Sequence, residues 1–178
     1  MASASTPRAR QGPLAGIKVA DFGWAVAGPL ATKMLAVHGA TVVKVETNNR
    51  LDGTRVGPPF RGKPSRNASA YYSDINPGKL SVTIDLNKSA GVALARRLCL
   101  WSDIVNENFS AGTMARWGLA YKDLAEDKPS IVMLSSSMQG ATGPHATHPG
   151  VGATLGALVG INHFVGWADA EPVGVARP

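Results

Sequence analysis

Carboxylates, imidazoles, hydroxyls and glycine-rich turns are the groups through which this sequence can act on a small molecule, and their spacing decides among them. Asp21 closes an apolar run between Ala20 and Phe22. A carboxylate there can serve as an acid or accept hydrogen bonds from the loop that follows, and its apolar flanks favour the acceptor. His145 and His148 are three apart in a loop with Pro144 and Pro149, without an adjoining carboxylate or cysteine, which makes a poor divalent site. His38 precedes Gly39 at the end of a helical pattern and reads as a cap, where a cation suits the carbonyl end of the helix. Ser135, Ser136 and Ser137 lack the Gly-x-Ser-x-Gly pattern of a nucleophile elbow. Gly150, Gly152 and Gly156 have part of a dinucleotide fingerprint, but a His/Pro loop rather than a strand precedes them. They read instead as a helix-packing or ligand-loop feature. Cys99 is the only cysteine and falls inside the apolar pattern of Val92, Ala95 and Leu98, which excludes an internal disulfide and a thiolate metal cluster.

The elements that must position these groups alternate strand and helix. Ile17–Phe22 reads as a buried strand. After Gly28 and Pro29, the residues Leu30, Met34 and Val37 recur at helical spacing up to Gly39, and Thr41–Glu46 reads as a second strand. Strand, helix and strand fit in about thirty residues, the length of a parallel crossover unit. The rhythm returns with a strand at Ser81–Leu86, a helix capped by Asn87 or Ser89 and running to Leu100, and a strand at Asp103–Glu107. Short helical stretches near Met114 and Leu124 precede a fifth strand, Ile131–Ser136. Two irregular stretches, 47–79 and 137–150, follow strands two and five, where open α/β sheets hold ligands. From Gly150 to Phe164, Gly152, Gly156 and Gly160 are spaced to make one smooth helical stripe.

The 178 residues contain 20 glycines and 12 prolines, 44% hydrophobic and only 17% charged residues. That mixture excludes a coiled coil or acidic disorder and allows one packed core. The net charge of +6 is scattered. Its nearest cluster, Arg96-Arg97 beside Lys88, reads as a solvated face, and no nucleic-acid-binding signature accompanies it. No apolar run reaches the roughly 18 residues of a membrane span. A soluble, cytoplasmic chain is expected, with residues 1–14 as a disordered lead-in.

Five strings then combine: VADFGWAVAGP (19–29), GATVVKVE (39–46), NPGKLSVTIDL (76–86), VNENFSAGTMARWG (105–118) and ALVGINHFVGWADAEPVG (157–174). In order and spacing they resemble the family III coenzyme A transferases, the CaiB/BaiF-type enzymes that include formyl-CoA transferase and α-methylacyl-CoA racemase. The resemblance implies an open, mostly parallel Rossmann-like α/β sheet with helices on both faces. Residues 15–178 would be the N-terminal part of a truncated large domain, in a parent that forms interlocked homodimers. Position by position it implies coenzyme A contacts at Val26 and Ala27, at Asn76, Pro77, Gly78 and Lys79, at Asn108, Phe109 and Ser110, at Arg116, and at Pro149, Gly150, Val151 and Gly152.

Lys79 and Arg116 have the charge to hold an adenosine phosphate or pyrophosphate. Phe109 suits either adenine or the core. Enzymes of the formyl-CoA type have Gln at the place of Val26 and Arg at the place of Thr47, so at Val26 and Thr47 the phosphate clamp or the acyl specificity must differ. The racemases have His-Asp where this chain has Val151-Gly152, which counts against racemase chemistry by that pair. The resemblance implies transfer of coenzyme A between carboxylic acids through an aspartyl-CoA intermediate, with acyl-CoA and carboxylic acids as substrates and no metal, nucleic acid or membrane. The nucleophilic aspartate would lie just beyond Pro178, so no catalytic residue is expected within the chain and these residues alone are expected to be inactive. A non-catalytic coenzyme A-binding or dimerisation module, or an acyl-CoA racemase or isomerase, remain the alternatives.

Overall fold

The computed structural model describes residues 11–173. Five strands, β1 (Lys18–Asp21), β2 (Thr41–Glu46), β3 (Leu80–Thr83), β4 (Ile104–Glu107) and β5 (Val132–Ser135), form one sheet in the order β3-β2-β1-β4-β5. Every neighbouring pair is parallel, with Ala20 opposite both Val43 and Val105. The chain steps outward from β1 to β3 and then returns to lay β4 on the other side of β1. This is the expected open α/β sheet.

Side chains alternate across each strand, so the two faces carry different chemistry. Ala20, Phe22, Val45 and Val105 face α3 (Ser89–Trp101), packing with Ala95, Cys99, Leu119 and Leu124. Val19 and Val42 face α1 (Ala27–Val37), packing with Ala36 and Ala40. Helices therefore cover both faces. Cys99 lies in the first of these clusters, and burial pushes its thiol up to about 12. Arg96 is a tie rather than part of a solvated face. It donates to the Gly118 and Asp123 carbonyls (3.2 and 2.8 Å) and to the Asp127 carboxylate (2.9 Å), fastening α3 to α5 (Tyr121–Ala125).

Several expectations need correction. Helix α1 buries Gly28, Pro29, Thr32 and Ala36, whereas Leu30, Met34 and Val37 are 44, 51 and 62% exposed. The small residues let the helix approach the sheet closely and turn the larger stripe outward. Helix α3 is capped by neither Asn87 nor Ser89. Its cap is Lys88, while the amide and side-chain nitrogens of Asn87 both donate to Asp85 Oδ1 (3.1 Å each). The stretch 47–79 is not wholly irregular, since it holds a 3-10 turn (Gly53–Val56) and α2 (Ala70–Ile75). Gln11–Leu14 belong to the fold. The Leu14 amide donates to the His38 carbonyl (3.0 Å), and its side chain packs on the α1-side cluster. Residues 1–10 of the expected lead-in lie outside the described residues. Finally, α6 (Gly152–Leu158) ends before Gly160 and buries none of its residues, so the glycine stripe neither completes nor packs. Among the described residues no helix is long and apolar enough to cross a membrane.

Gly91 shows how tightly α3 meets the turn that leads into it. A Cβ on Gly91 would overlap the carbonyl oxygen of Asp85. Glycine to alanine in an ordinary helix interior stabilises by about 1 kcal/mol. Here the sign reverses: Gly91→Ala should destabilise by about 1–3 kcal/mol through overpacking, measured by urea unfolding.

Candidate functional site

Parallel sheets bind ligands outside their carboxyl ends, at the point where the strand order reverses. Here that point lies between β1 and β4. A cleft of about 530 Å3 opens there on the α3 face, bounded by the segments that follow β1, β2, β3 and β4. Phe22, Val45 and Ile84 form its floor. Trp24, Phe109 and Trp117 form an aromatic wall, with Phe109 edge-on to Trp117 at 5.6 Å and tilted to Trp24 at 6.5 Å. The cations on its lining are Arg50 and Arg116, and the acid is Glu46.

The segment from Phe22 to Gly28 forms one side of this cleft, and side chains from elsewhere fix its backbone. Asn108 acts as a strand would, accepting from the Trp24 amide (2.7 Å) and donating to its carbonyl (2.8 Å). Lys44, 1% exposed, donates to the Gly23 carbonyl (2.5 Å) and pairs with Asp52 at 3.4 Å. Asp52 in turn accepts from the amide of Ala25 (3.2 Å), the one non-glycine residue with positive φ (56°) among the described residues. Asp21, fully buried, accepts from the Gly23 amide (2.9 Å), Thr32 (2.7 Å), Asn106 (2.8 Å) and Lys79 (3.0 Å). The acceptor reading of Asp21 holds. Only glycine fits at position 23, because a Cβ there would press on both Asp21 Oδ1 and Asn106 Nδ2 at 2.8 Å.

The opposite side begins at Glu46. Its carboxylate receives the Arg55 fork (2.7 and 2.6 Å), the Tyr72 hydroxyl (2.8 Å) and Ser81 (3.0 Å). Burial pushes the Glu46 carboxyl up, but the bonds from Arg55 and Tyr72 outweigh it and hold the pKa at about 2. Burial and the adjacent Glu46 push the Tyr72 hydroxyl well above the usual phenol range. Arg55 also sits over Tyr72, 3.8 Å from the ring centre, and the bonds of both residues to Glu46 fold the stretch 47–79 back on β2.

Of the residues singled out in the sequence, the cleft brings together Thr47, Asn108, Phe109, Ser110 and Arg116. Phe109 both lines the cleft and packs on the core. Asn76 and Lys79 line a second hollow of about 280 Å3 on the far side of β2, with Pro77 and Gly78 exposed beside them. Lys79 spends all three donors inward, on Asp21, the Pro29 carbonyl (2.8 Å) and Asn76 (2.8 Å), and its side chain is 2% exposed. The phosphate role given to its ammonium is therefore corrected: it is the counter-ion of Asp21. Val26 and Ala27 start α1 outside the cleft lining, and Pro149–Gly152 lead into α6, away from it. Trp24, Arg50 and Trp117 escape the sequence reading. The only signal for them was an aromatic or basic residue within three positions of a singled-out residue.

A family model described as CoA-transferase family III matches residues 14–178. The succinate–glutarate CoA-transferase of Agrobacterium fabrum is 40% identical over 167 residues, which cover 92% of this chain and 42% of that protein. The human succinyl-CoA:glutarate CoA-transferase is 36% identical over 162 residues, covering 90% and 36%. Among solved structures, a CaiB/BaiF family protein from Brucella suis superposes with a TM-score of 0.86 at 35% identity, over 93% of this chain and 44% of its own. The chain spans about two fifths of the length of these curated relatives.

Two substitutions probe the charges beneath the cleft. Lys79→Met should destabilise by about 3 kcal/mol in urea unfolding, because it strands a buried Asp21, and adding Asp21→Asn should restore much of the loss. Glu46→Gln should cost about 2 kcal/mol at neutral pH, discounted for partial exposure. Since folding lowers the Glu46 pKa from 4.5 to about 2, its contribution is complete above pH 4.5 and fades as pH falls towards 2. Unfolding curves of the two proteins should therefore converge across that window.

Proposed function

The chain belongs to CoA-transferase family III, and from that premise we propose that the cleft holds the nucleotide end of a coenzyme A thioester in an enzyme that moves coenzyme A between carboxylic acids. The observation that carries this reading is an aromatic wall beside two arginines that pair with no carboxylate among the described residues, gathered from three loops at the reversal point of the sheet. A purine stacks on such a wall, and guanidinium groups pair with phosphate through forked hydrogen bonds. Phe109 and Trp117 take the base, Arg116 a phosphate, and Asn108 keeps the Trp24 segment in place.

These residues hold rather than react. The cleft lining contains no aspartate, and its one acid, Glu46, is fully engaged by Arg55 and Tyr72 and so makes a weak nucleophile. In the reaction we propose, the aspartate expected just beyond Pro178 attacks the thioester carbonyl, expelling the coenzyme A thiolate and forming an acyl-aspartyl anhydride. The thiolate then attacks the aspartyl carbonyl, releasing the donor acid as its carboxylate and leaving an aspartyl-CoA thioester. The acceptor carboxylate runs the same two steps in reverse. Throughout, the nucleotide end must stay bound while the thiolate is free, and a rigid cleft supplies that retention. Relatives named for succinate, glutarate and oxalate support a short dicarboxylic acid as substrate. The interlocked homodimer of the resemblance belongs to the same reading, and the outward Leu30, Met34 and Val37 offer apolar surface for it.

Arg116→Ala should weaken coenzyme A binding roughly tenfold, the lower end for a charged hydrogen bond because this side chain is exposed. Titration calorimetry measures it. An unchanged dissociation constant would remove Arg116 from the site and take the main support from the reading.

A further inference from the structure

The second cation of the cleft, Arg50, is not among the residues that the resemblance marks, yet its surroundings are built. Its guanidinium carbon lies 5.5 Å from the centre of the Trp24 ring. The backbone of Trp24 is held through both its amide and its carbonyl by Asn108, which sets where the indole leaves the chain. The turn that carries Arg50 is closed by one local bond and tied to the segment after β3 by another. The Asn49 amide donates to Thr47 Oγ1 (3.3 Å), and the Asn49 side chain donates to Asp85 (3.2 Å). Among the described residues, Lys44, Arg55, Lys79, Arg96 and Lys128 all meet carboxylates, and Arg50 meets none. It also stands three residues beyond Thr47, the position that lacks the arginine of the formyl-CoA type.

We propose that Arg50 is a specificity-determining residue that reads the phosphomonoester on the ribose of coenzyme A, supplying beside Trp24 the positive charge that Thr47 does not. This rests on the coenzyme A reading of the cleft. The guanidinium lies beside Trp24, whose ring adjoins the Phe109 that takes the base. The phosphate nearest the base is the monoester on the same ribose, which carries close to two negative charges at neutral pH. The pyrophosphate leaves from the far side of that ribose and falls to Arg116. A guanidinium held near an indole face keeps its planar fork open to the cleft, so it can pair with a phosphate through two parallel hydrogen bonds.

Coenzyme A and dephospho-coenzyme A differ only in that monoester, and they separate the outcomes. The purified protein and its Arg50→Ala and Arg50→Lys variants are titrated with each ligand by calorimetry at low salt. The proposal expects the unchanged protein to prefer coenzyme A by roughly tenfold. Arg50→Ala should lose that preference with no change for dephospho-coenzyme A, and Arg50→Lys should keep part of it. Equal weakening of both ligands by Arg50→Ala would mean that Arg50 only steadies Trp24 or meets the pyrophosphate, and would overturn the proposal. So would no weakening of either, or equal affinities in the unchanged protein. If the unchanged protein binds neither ligand, the coenzyme A reading itself fails. Melting temperatures of the variants check that this exposed residue leaves the fold intact.

Discussion

A carboxylate with no exposure to water is tolerated only if donors replace its hydration, and Asp21 meets that demand with four. The donors come from four places: the Gly23 amide just after β1, Thr32 on α1, Asn106 on β4 and Lys79 ahead of β3. One charge therefore joins the central strand to β4, to the segment that leads into β3 and to the first helix. The turn after β1 inherits its shape from that junction. The cleft inherits its wall from the turn.

The alternation of side chains along β1, β2 and β4 separates this framework from the ligand-facing surface. Asp21, Lys44 and Asn106 point to the α1 side, whereas Phe22, Val45 and Val105 point to the other. Charge is thus concentrated under one face of the turn and apolar surface under the opposite face, using the same few residues of strand. Asp52 and Arg55 extend the framework into the long segment after β2, each engaging a residue of that strand, Lys44 and Glu46. The long segment, with its 3-10 turn and α2, is thus tied back to β2 by two ion pairs of low exposure.

What was legible in the sequence follows from this division. The central strands β1, β2 and β4 are readable because such a strand is covered on both faces and must be a short apolar, β-branched run, while the edge strands β3 and β5 follow from their place in the strand–helix rhythm. The cleft residues Asn108, Phe109 and Arg116 are readable because they sit in a string that keeps its spacing to β4. The inward face of α1 is not, since hydropathy rewards Leu30, Met34 and Val37 while the close approach is made by Gly28, Pro29 and Thr32. Lys79 misleads for a related reason. A lysine beside an expected phosphate site looks like a ligand until its partner, 58 residues earlier, comes into view. Trp24 and Arg50 owe their roles to a contact between two loops, and no periodicity encodes such a contact.

Cys99 carries a consequence of a different kind. The protein's only thiol is sealed between α3 and the sheet and remains protonated, so alkylating reagents and oxidants find no thiolate in the native state. Reaction at this sulfur requires α3 to lift away. The pace at which a disulfide reagent labels the protein thus becomes a clock for that local opening, with each labelled molecule recording one departure of the helix from its sheet.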